Sequence, residues 1–296
     1  MVSEKEFDQI DEASRELEQS TLSFLKEIVR IPSTNPPGDY NDIHSVFTTA
    51  LTDFGWDVET LWAPDELLAE LDLEFPRPNI IAWASRGDGP TIALRSHYDT
   101  APVDSSGWNF DPFGAEVDGD LLYGRGTTDE KGQIAAHVLA IRILEETDLL
   151  PADATIVLIC DTDEETDGKA GAGFVASNEN VRPDYLFGQG VIDEIWNSGL
   201  GFIQYRVEVD GASSHAGVNP DNSANSLIGA ARLIQVVDEY SASHLRDNDT
   251  TIAMGAPTTT PTALSSNDNI SVIPAKTTFY IDQRYPPGFS TDELRQ

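Results

Sequence analysis

Cysteine and long apolar runs are nearly absent from this chain of 296 residues. Its only cysteine, Cys160, has no partner within the chain, so no disulfide framework holds the fold. No apolar segment approaches the roughly 18 residues of a membrane span. The acidic N-terminus has no apolar core of the kind found in secretory signal peptides. These absences argue against a disulfide-stapled secreted domain and predict a cytoplasmic protein without a membrane-spanning segment.

Basic residues are also scarce: 18 lysines and arginines stand against 51 aspartates and glutamates, for a formal charge of −33. Such a charge repels nucleic acids and anionic membrane surfaces, so we expect no partner of either kind. It also destabilises the compact state through self-repulsion unless concentrated salt screens it. We therefore predict a halophilic source.

The apolar residues that are present suffice for a sizeable core, because 40% of the chain is hydrophobic, and the length fits two domains. Nearly continuous apolar segments predict strands buried on both faces at 79–84, 91–96 and 154–160. Apolar residues at helical spacing predict helices at 3–30, 41–54 and 129–146. These elements indicate an α/β fold in which helices are layered on a sheet.

The sequence pattern changes near residue 198. Segment 199–211 alternates apolar and polar residues, as a half-exposed antiparallel strand does. The elements predicted after it are a helix at about 223–245 and strands at 251–256 and about 269–284. The last residues, "STDELRQ", resemble the start of a helix, so we expect the chain to be incomplete. We predict two domains, 1–197 and 198–296.

Three polar clusters occur in the first predicted domain. They read "SHYDT" (96–100), "YGRGTTDEKGQIAAH" (123–137) and "CDTDEETDG" (160–168). Each has an ordinary explanation on its own: a surface histidine at His97, a helix cap at Asp129, and a solvated acidic face in the third cluster. Together, a histidine and several carboxylates that converge on one edge of a sheet form an N/O site of the type that zinc accepts.

A calcium loop is an alternative for the acidic run, since Asp163, Glu165, Asp167 and Gly168 have the spacing of its first half. The twelfth position of that loop, however, is Phe174, where a bidentate glutamate is required. A strand also precedes the run where a helix should, so we set calcium aside. A third interpretation, an acidic halophilic binding protein without metal, is disfavoured by the number of motifs.

The motifs around these clusters follow one another in a defined order along nearly the whole chain. They read "SHYDTAP", "DPF", "DGDLLYGRGTTDEKGQIAA", "DEETDG", "GASSHAG", "NSANSL" and "NDNISVIPAKTTFYIDQRYPPG". This set resembles the dinuclear-zinc exopeptidase and amidohydrolase family, which includes aminoacylase, acetylornithine deacetylase, succinyl-diaminopimelate desuccinylase and glutamate carboxypeptidase. The resemblance implies a catalytic domain with a mixed central sheet and helices on both faces.

The resemblance also implies two zinc ions per subunit, with cobalt as an alternative metal. His97 would bind one zinc and Asp99 would orient this imidazole. Asp129 would bridge both zincs, and Glu165 would bind the other. Glu164 would be the general base that takes a proton from the bridging water, so that Glu164 and Asp99 are the predicted catalytic residues.

The metal charge implied by the resemblance would let the crowded carboxylates after the strand at 154–160 tolerate one another. The remaining acidic residues of that run are then expected to be surface or turn residues. They are Asp161, Asp163 and Asp167.

For residues 198–296 the resemblance implies an inserted α+β, ferredoxin-like lid domain through which the protein forms a homodimer. His215 would stabilise the oxyanion, and Asn269 and Arg284 would hold the substrate carboxylate. Without the resemblance, Arg284 fits a strand-end salt bridge equally well. The implied reaction is hydrolysis of the amide bond next to a free carboxylate, in a small N-acyl amino acid or peptide.

One departure from the family pattern concerns a carboxylate ligand that follows the strand "PDYLF". This chain has Gln189 and Gly190 there, and neither supplies a carboxylate. Asp193 or Glu194 could take over the role, although their spacing differs. A metal that has lost a protein ligand should bind more weakly.

A second departure concerns the last histidine ligand of the family, which lies in a C-terminal stretch that this chain lacks. Neither His137 nor His244 lies in the sequence context of that ligand. The rival hypothesis is therefore a catalytically impaired or non-catalytic truncated relative that keeps the fold and the dimerisation.

Overall fold

A computed structural model describes residues 3–188, 199–218, 224–242 and 257–287. The chain divides into two compact units, Met1–Gly190 and Val191–Gln296. The domain boundary predicted between residues 197 and 198 lies outside the described residues and stays a prediction. Within the described part of the chain, no helix combines the length and apolarity that crossing a membrane requires.

The first unit combines helices with a central sheet, and its elements match most of those predicted from the sequence. The helices are α1 (Glu4–Arg30), α2 (Asn41–Asp53), α3 (Asp65–Glu70), α4 (Lys131–Glu146) and α5 (Ala172–Ser177). The strands are β1 (Asp57–Trp62), β2 (Pro78–Ser85), β3 (Thr91–His97), β4 (Glu116–Asp118), β5 (Leu121–Tyr123), β6 (Thr155–Asp161) and β7 (Tyr185–Gly188).

The central sheet has the strand order β1-β2-β6-β3-β7. Strand β3 runs parallel to both β6 and β7, whereas β2 is antiparallel to β6 and to β1. The predicted mixed sheet is therefore confirmed. All seven residues of β6 are buried, as the unbroken apolar run predicted.

Helices cover both faces of this sheet. On one face, α1, α2 and α4 contribute Phe24, Phe47 and Ile134 to a core that includes Ile80 and Leu158 of the sheet. On the other face, Val175 of α5 packs in a second core with the strand residues Ile81, Val157 and Ile159. In β6, which is buried on both sides, the polar residues Thr155 and Asp161 lie at the two ends of the strand.

The second unit is an α+β arrangement. Its elements are β8 (Gly201–Asp210), β9 (Ser214–His215), α6 (Ser226–Tyr240), β10 (Thr258–Ser265), β11 (Val272–Ile273) and β12 (Lys276–Tyr285). An antiparallel sheet of order β10-β12-β8 packs against α6, with Ala230, Phe279 and Ile281 buried between them. That this unit is an inserted, ferredoxin-like lid stays a prediction.

Proline accounts for two differences from the predicted elements of the second unit. The long strand predicted at 269–284 is wrong in its first half, because Pro274 separates β11 from β12 and cannot donate a ladder hydrogen bond. Strand β10 was not predicted, because it contains Pro261. This proline is tolerated because β10 is an edge strand of its sheet. The strand predicted at 251–256 and the helix start after residue 290 lie outside the described residues.

Candidate metal centre

The parallel pairing of β3 and β6 creates the candidate site. Their register places His97 opposite Asp161, so both strands end at one edge of the sheet. The chain then turns from β6 into Glu164 and Glu165, while the loop before α4 brings in Asp129. Carboxyl ends of parallel strands are where open α/β sheets place their sites.

The imidazole of His97 lies fully buried among carboxylates. Its Nδ1 is 3.1 Å from the carbonyl oxygen of Asp99 and 3.3 Å from the Oδ1 of that residue. Its Nε2 lies 2.9 Å from Asp129 Oδ1, 3.8 Å from Glu164 Oε2 and 3.9 Å from Glu130 Oε2. Burial alone would lower the pKa of His97, but the hydrogen bonds to Asp129 and Asp99 outweigh burial and raise it to about 11. This surrounding favours positive charge on the imidazole.

Within the described part of the chain, a potential metal-binding group consists of His97, Asp129 and Glu130, whose ligand atoms all lie within 4.8 Å of one another. Glu130 was not predicted from the sequence. It is almost completely buried and accepts a hydrogen bond from the backbone N–H of His97 at 3.1 Å, and burial raises the pKa of its carboxyl group. One imidazole and two carboxylates suit a borderline divalent cation.

The alternative that Asp129 caps the following helix is wrong. Helix α4 begins at Lys131, and the residue in the cap position, Glu130, makes no capping hydrogen bond. The side chain of Asp129 turns to His97 instead. Lys131 anchors this start of the helix, because its buried Nζ donates to the carbonyl oxygens of Ile28 and Ile31, each at 2.9 Å.

The carboxylate of Asp99 holds the turn that carries Glu164, the predicted general base, and Glu165, a predicted metal ligand. It accepts the N–H of Glu164 at 3.2 Å and the N–H of Glu165 at 3.1 Å. Glu165 Oε1 accepts the N–H of Ala101 at 2.7 Å, and burial together with nearby Asp129 raises the pKa of Glu165. Glu165 is not a member of the three-residue group, so its role as a ligand stays a prediction.

Two aspartates of the acidic run are buried. The expectation that they are surface or turn residues is wrong for Asp161, which ends strand β6, whereas Asp163 lies in a turn but inside the protein. Asp161 forms a bidentate ion pair with Arg95 at 2.5 and 2.6 Å, and Asp163 pairs with Arg77 at 2.9 Å. Both carboxylates are at most 1% exposed. Arginines therefore neutralise part of the run inside the protein. Asp167 does lie nearer the surface, in a turn where it pairs with Lys169.

The predicted substrate-binding residues all lie in the second unit. His215 pairs with Val272 in the short β9–β11 ladder, and its Nδ1 accepts the N–H of Gly217 at 3.1 Å. Asn269 precedes β11 and uses its side-chain oxygen to hold a turn. Arg284 lies in β12, where it pairs with Asp282 at 2.6 Å, as the salt-bridge alternative predicted. Their substrate roles stay predictions.

The residues that depart from the family pattern are only partly described. Gln189, Gly190, Asp193, Glu194 and His244 lie outside the described residues. His137 lies buried on α4, where its ring nitrogens are 3.4 Å from the hydroxyl oxygen of Ser96 and 3.2 Å from the side-chain amide nitrogen of Gln133. It does not belong to the three-residue group.

Residues 93–294 match the sequence profile of peptidase family M20/M25/M40. The match covers more than half of the chain and contains His97, Asp129, Glu130, Glu164 and Glu165. The chain belongs to this family. M20 proteins are metallohydrolases that act as peptidases or deacylases, which agrees with the family resemblance found in the motifs.

Curated relatives of this M20 chain are longer than it is. An uncharacterized metallohydrolase of Methanococcus maripaludis is 27% identical over 233 residues, which cover 74% of this chain and 54% of that protein. A succinyl-diaminopimelate desuccinylase of Gluconacetobacter diazotrophicus is 28% identical over 282 residues, covering 89% of this chain and 67% of that enzyme. The chain thus spans about half to two thirds of their lengths.

Solved structures of peptidases share the fold of this chain. The di-peptidase Dug1p from Saccharomyces cerevisiae matches with a TM-score of 0.70 at 17% identity, covering 97% of this chain and 74% of that one. At this identity the likeness identifies the mixed α/β fold alone.

Proposed function

We propose that the protein is a metal-dependent hydrolase that cleaves the amide bond next to a free carboxylate in a small N-acyl amino acid or peptide. The observation that carries this proposal is the group of His97, Asp129 and Glu130, in which His97 and Glu130 are buried and Asp129 is exposed, with Glu164 Oε2 at 3.8 Å from the imidazole. Membership of the M20 family supports the reaction class, and the desuccinylase among its relatives supports an N-acyl substrate.

The donor set of this group fits a divalent metal, and zinc is the proposed ion, with cobalt as the alternative. His97, Asp129 and Glu130 would hold it, and the predicted Glu165 would bind a second ion. The carboxylates of Asp129, Glu164 and Glu130, which lie 2.9, 3.8 and 3.9 Å from His97 Nε2, create a negative potential that supports a cation in this place. When bound, such a metal polarises the scissile carbonyl and lowers the pKa of a water molecule at the site.

Glu164 is the proposed general base. Its carboxylate is one-third exposed, so it reaches solvent and substrate, while its backbone is fixed by Asp99. Oε2 would accept the proton of the attacking water and then deliver it to the leaving amine nitrogen. Asp99 contributes by orienting His97 and by holding the backbone of Glu164 and Glu165.

Arg284 and Asn269 are the proposed ligands of the substrate carboxylate, and His215 is the proposed oxyanion donor. In favour of Arg284, its guanidinium is about half exposed although it pairs with Asp282. An arginine can bind a second carboxylate through two parallel hydrogen bonds, a geometry that a lysine ammonium cannot provide.

The experiment that tests this function measures metal content and hydrolysis on the same preparation. The purified chain is loaded with zinc, freed of excess metal, and assayed with N-succinyl, N-acetyl and dipeptide substrates. We expect bound zinc and hydrolysis that a chelator abolishes. Bound zinc without hydrolysis would support the rival, a catalytically impaired relative, and absence of bound zinc would overturn the metal site itself.

We further propose a homodimer formed through the second unit. Helix α6 buries one side against its sheet, yet it also exposes a stripe of apolar side chains that includes Ile228, Leu233, Val236 and Tyr240. Such a stripe at helical spacing is suited to a second copy of the same helix. Light scattering should give twice the chain mass, and Val236→Glu should halve it; a wild-type monomer would contradict the dimer. The cytoplasmic location and halophilic source stay predictions.

A further inference from the structure

Arg77 is the largest side chain among the fully buried ones of the described residues, and it lies outside the group of candidate ligands. Its Nε donates to Asp163 Oδ1 at 2.9 Å, Nη1 to the carbonyl oxygens of Phe75 at 2.8 Å and Gly38 at 3.1 Å, and Nη2 to that of Pro37 at 3.3 Å. A lysine has no planar fork with which to reach these acceptors together. The guanidinium therefore fixes Asp163 against the segment around Gly38.

Asp163 starts the turn that carries Glu164 and Glu165. Its backbone has a φ of +68°, in the left-handed region that residues with a β-carbon rarely adopt. Its carbonyl oxygen accepts the N–H of Gly168 at 2.7 Å, which closes the turn. Its carboxylate oxygen accepts hydrogen bonds from Arg77 and from Thr166 Oγ1. The strained conformation is thus held from both its backbone and its side chain.

Asn35 links this ion pair to Asp99. Its side-chain amide donates to Asp99 Oδ2 at 3.1 Å and lies 3.3 Å from Asp163 Oδ1, and all three side chains are buried. Asp99 in turn accepts the backbone N–H groups of Glu164 and Glu165. A continuous buried network therefore runs from Arg77 to the backbone of both glutamates.

We propose that Arg77 and Asn35 are positioning residues, which hold the Glu164–Glu165 backbone in register with His97 through Asp163 and Asp99. Neither side chain belongs to the group of candidate ligands, so each acts through the carboxylates that it contacts. That Glu164 and Glu165 matter for catalysis rests on the proposed function. That Arg77 and Asn35 position the backbone of these glutamates does not depend on it.

The test uses hydrogen exchange of the segment 161–168 in the full chain, with Arg77→Lys and Asn35→Ala as the variants. Leu51→Ala is the matched control, because Leu51 is fully buried in α2 and its loss destabilises the core away from this network. At matched global stability, we expect the segment to exchange at least about tenfold faster in both variants than in the control. If Arg77→Lys does not fold, Asn35→Ala decides.

The same variants are assayed for metal content and for hydrolysis. We expect kcat to fall at least about tenfold, with KM within about twofold and zinc content unchanged. Exchange equal to that of Leu51→Ala would overturn the inference, and so would fast exchange with an unaltered kcat. A wild-type chain that hydrolyses nothing would instead refute the proposed function, while the exchange data still decide whether the network positions the turn.

Discussion

Asp161 and Asp163 meet arginines inside the protein, whereas Glu164 and Glu165, immediately after them, lie near His97 and Asp129. The first pair is almost fully buried and bonded to Arg95 and Arg77. In the second pair, the side chain of Glu164 lies 3.8 Å from the imidazole of His97, and that of Glu165 accepts a backbone N–H. One acidic run therefore contains carboxylates in two different electrostatic settings.

The difference shows that crowded carboxylates need not share one cation. From the sequence, the tolerance of crowded carboxylates was assigned to metal charge alone, whereas arginines already pair with Asp161 and Asp163. A buried ion pair is costly to break from one side, so the arginine-bonded members should govern stability. Glu164 and Glu165, which lie near His97, should determine catalytic activity. Substitutions along the run can separate these two effects.

The largest expected effect is on activity at Glu164. Glu164→Gln removes the proposed proton acceptor but keeps the shape and the backbone hydrogen bond to Asp99. We expect kcat to fall by about 10²–10⁴-fold, the range of general acid–base catalysis, while zinc content and stability stay unchanged. Steady-state kinetics with metal analysis measures this. Full activity in the variant would show that another group takes the proton.

The next largest effect is on stability at Asp161. Asp161→Asn leaves the guanidinium of Arg95, which is only 12% exposed, without its charged bidentate partner. We expect a loss of about 3–5 kcal/mol in the free energy of unfolding, measured by urea denaturation with chelator present. Asp167→Asn, in the more exposed part of the same run, is the control and should cost less than about 1 kcal/mol. Equal losses in the two variants would contradict the division of the run.

The sequence predicted the parts of the site that local patterns determine. The unbroken apolar run predicted the buried strand β6, and the i, i+2 spacing of an extended chain predicted that Asp99 lies beside His97. The family resemblance predicted Asp129 as a ligand, and this residue does lie beside His97.

The sequence could not predict what depends on distant partners. Arg95 and Arg77 are 66 and 86 residues away from the aspartates that they neutralise, so charge spacing gave no sign of the pairing. Glu130 was missed because adjacent residues of a regular element point apart, whereas here the chain turns into α4 and directs both carboxylates to His97. Only its position directly after a predicted ligand could have suggested it.

A smaller effect on stability is expected for His137, a buried residue that contacts uncharged side chains rather than an arginine. The ring of His137 contacts Ser96 and Gln133, and burial lowers its pKa to about 4 from the ordinary value of 6.5. Between these pH values the unfolded chain binds the proton that the folded chain excludes, so the stability from a neutral His137 is present above pH 6.5 and lost as the pH falls to 4.

His137→Gln should therefore flatten the decline of stability with falling pH over this window, by up to about 3 kcal/mol relative to the wild type. Urea denaturation at several pH values measures the difference. The exposed His215→Gln is the control and should follow the wild-type curve. Identical curves for His137→Gln and the wild type would show that the ring is protonated without cost in the folded protein.

The smallest effect on stability is expected for an ion pair at the surface. There, both the attraction within the pair and the repulsion due to the net charge of the protein are weak. Arg86 and Asp57 are 2.7 Å apart, but their side chains are 55% and 70% exposed. Asp57→Asn removes the attraction and also relieves one unit of the repulsion due to the net charge of −33. We expect a change within about 1 kcal/mol in dilute buffer, and none in about 1 M KCl, where the Debye length is about 3 Å. A loss near that of Asp161→Asn, persisting in high salt, would show that solvent exposure does not distinguish the two kinds of arginine–aspartate pair.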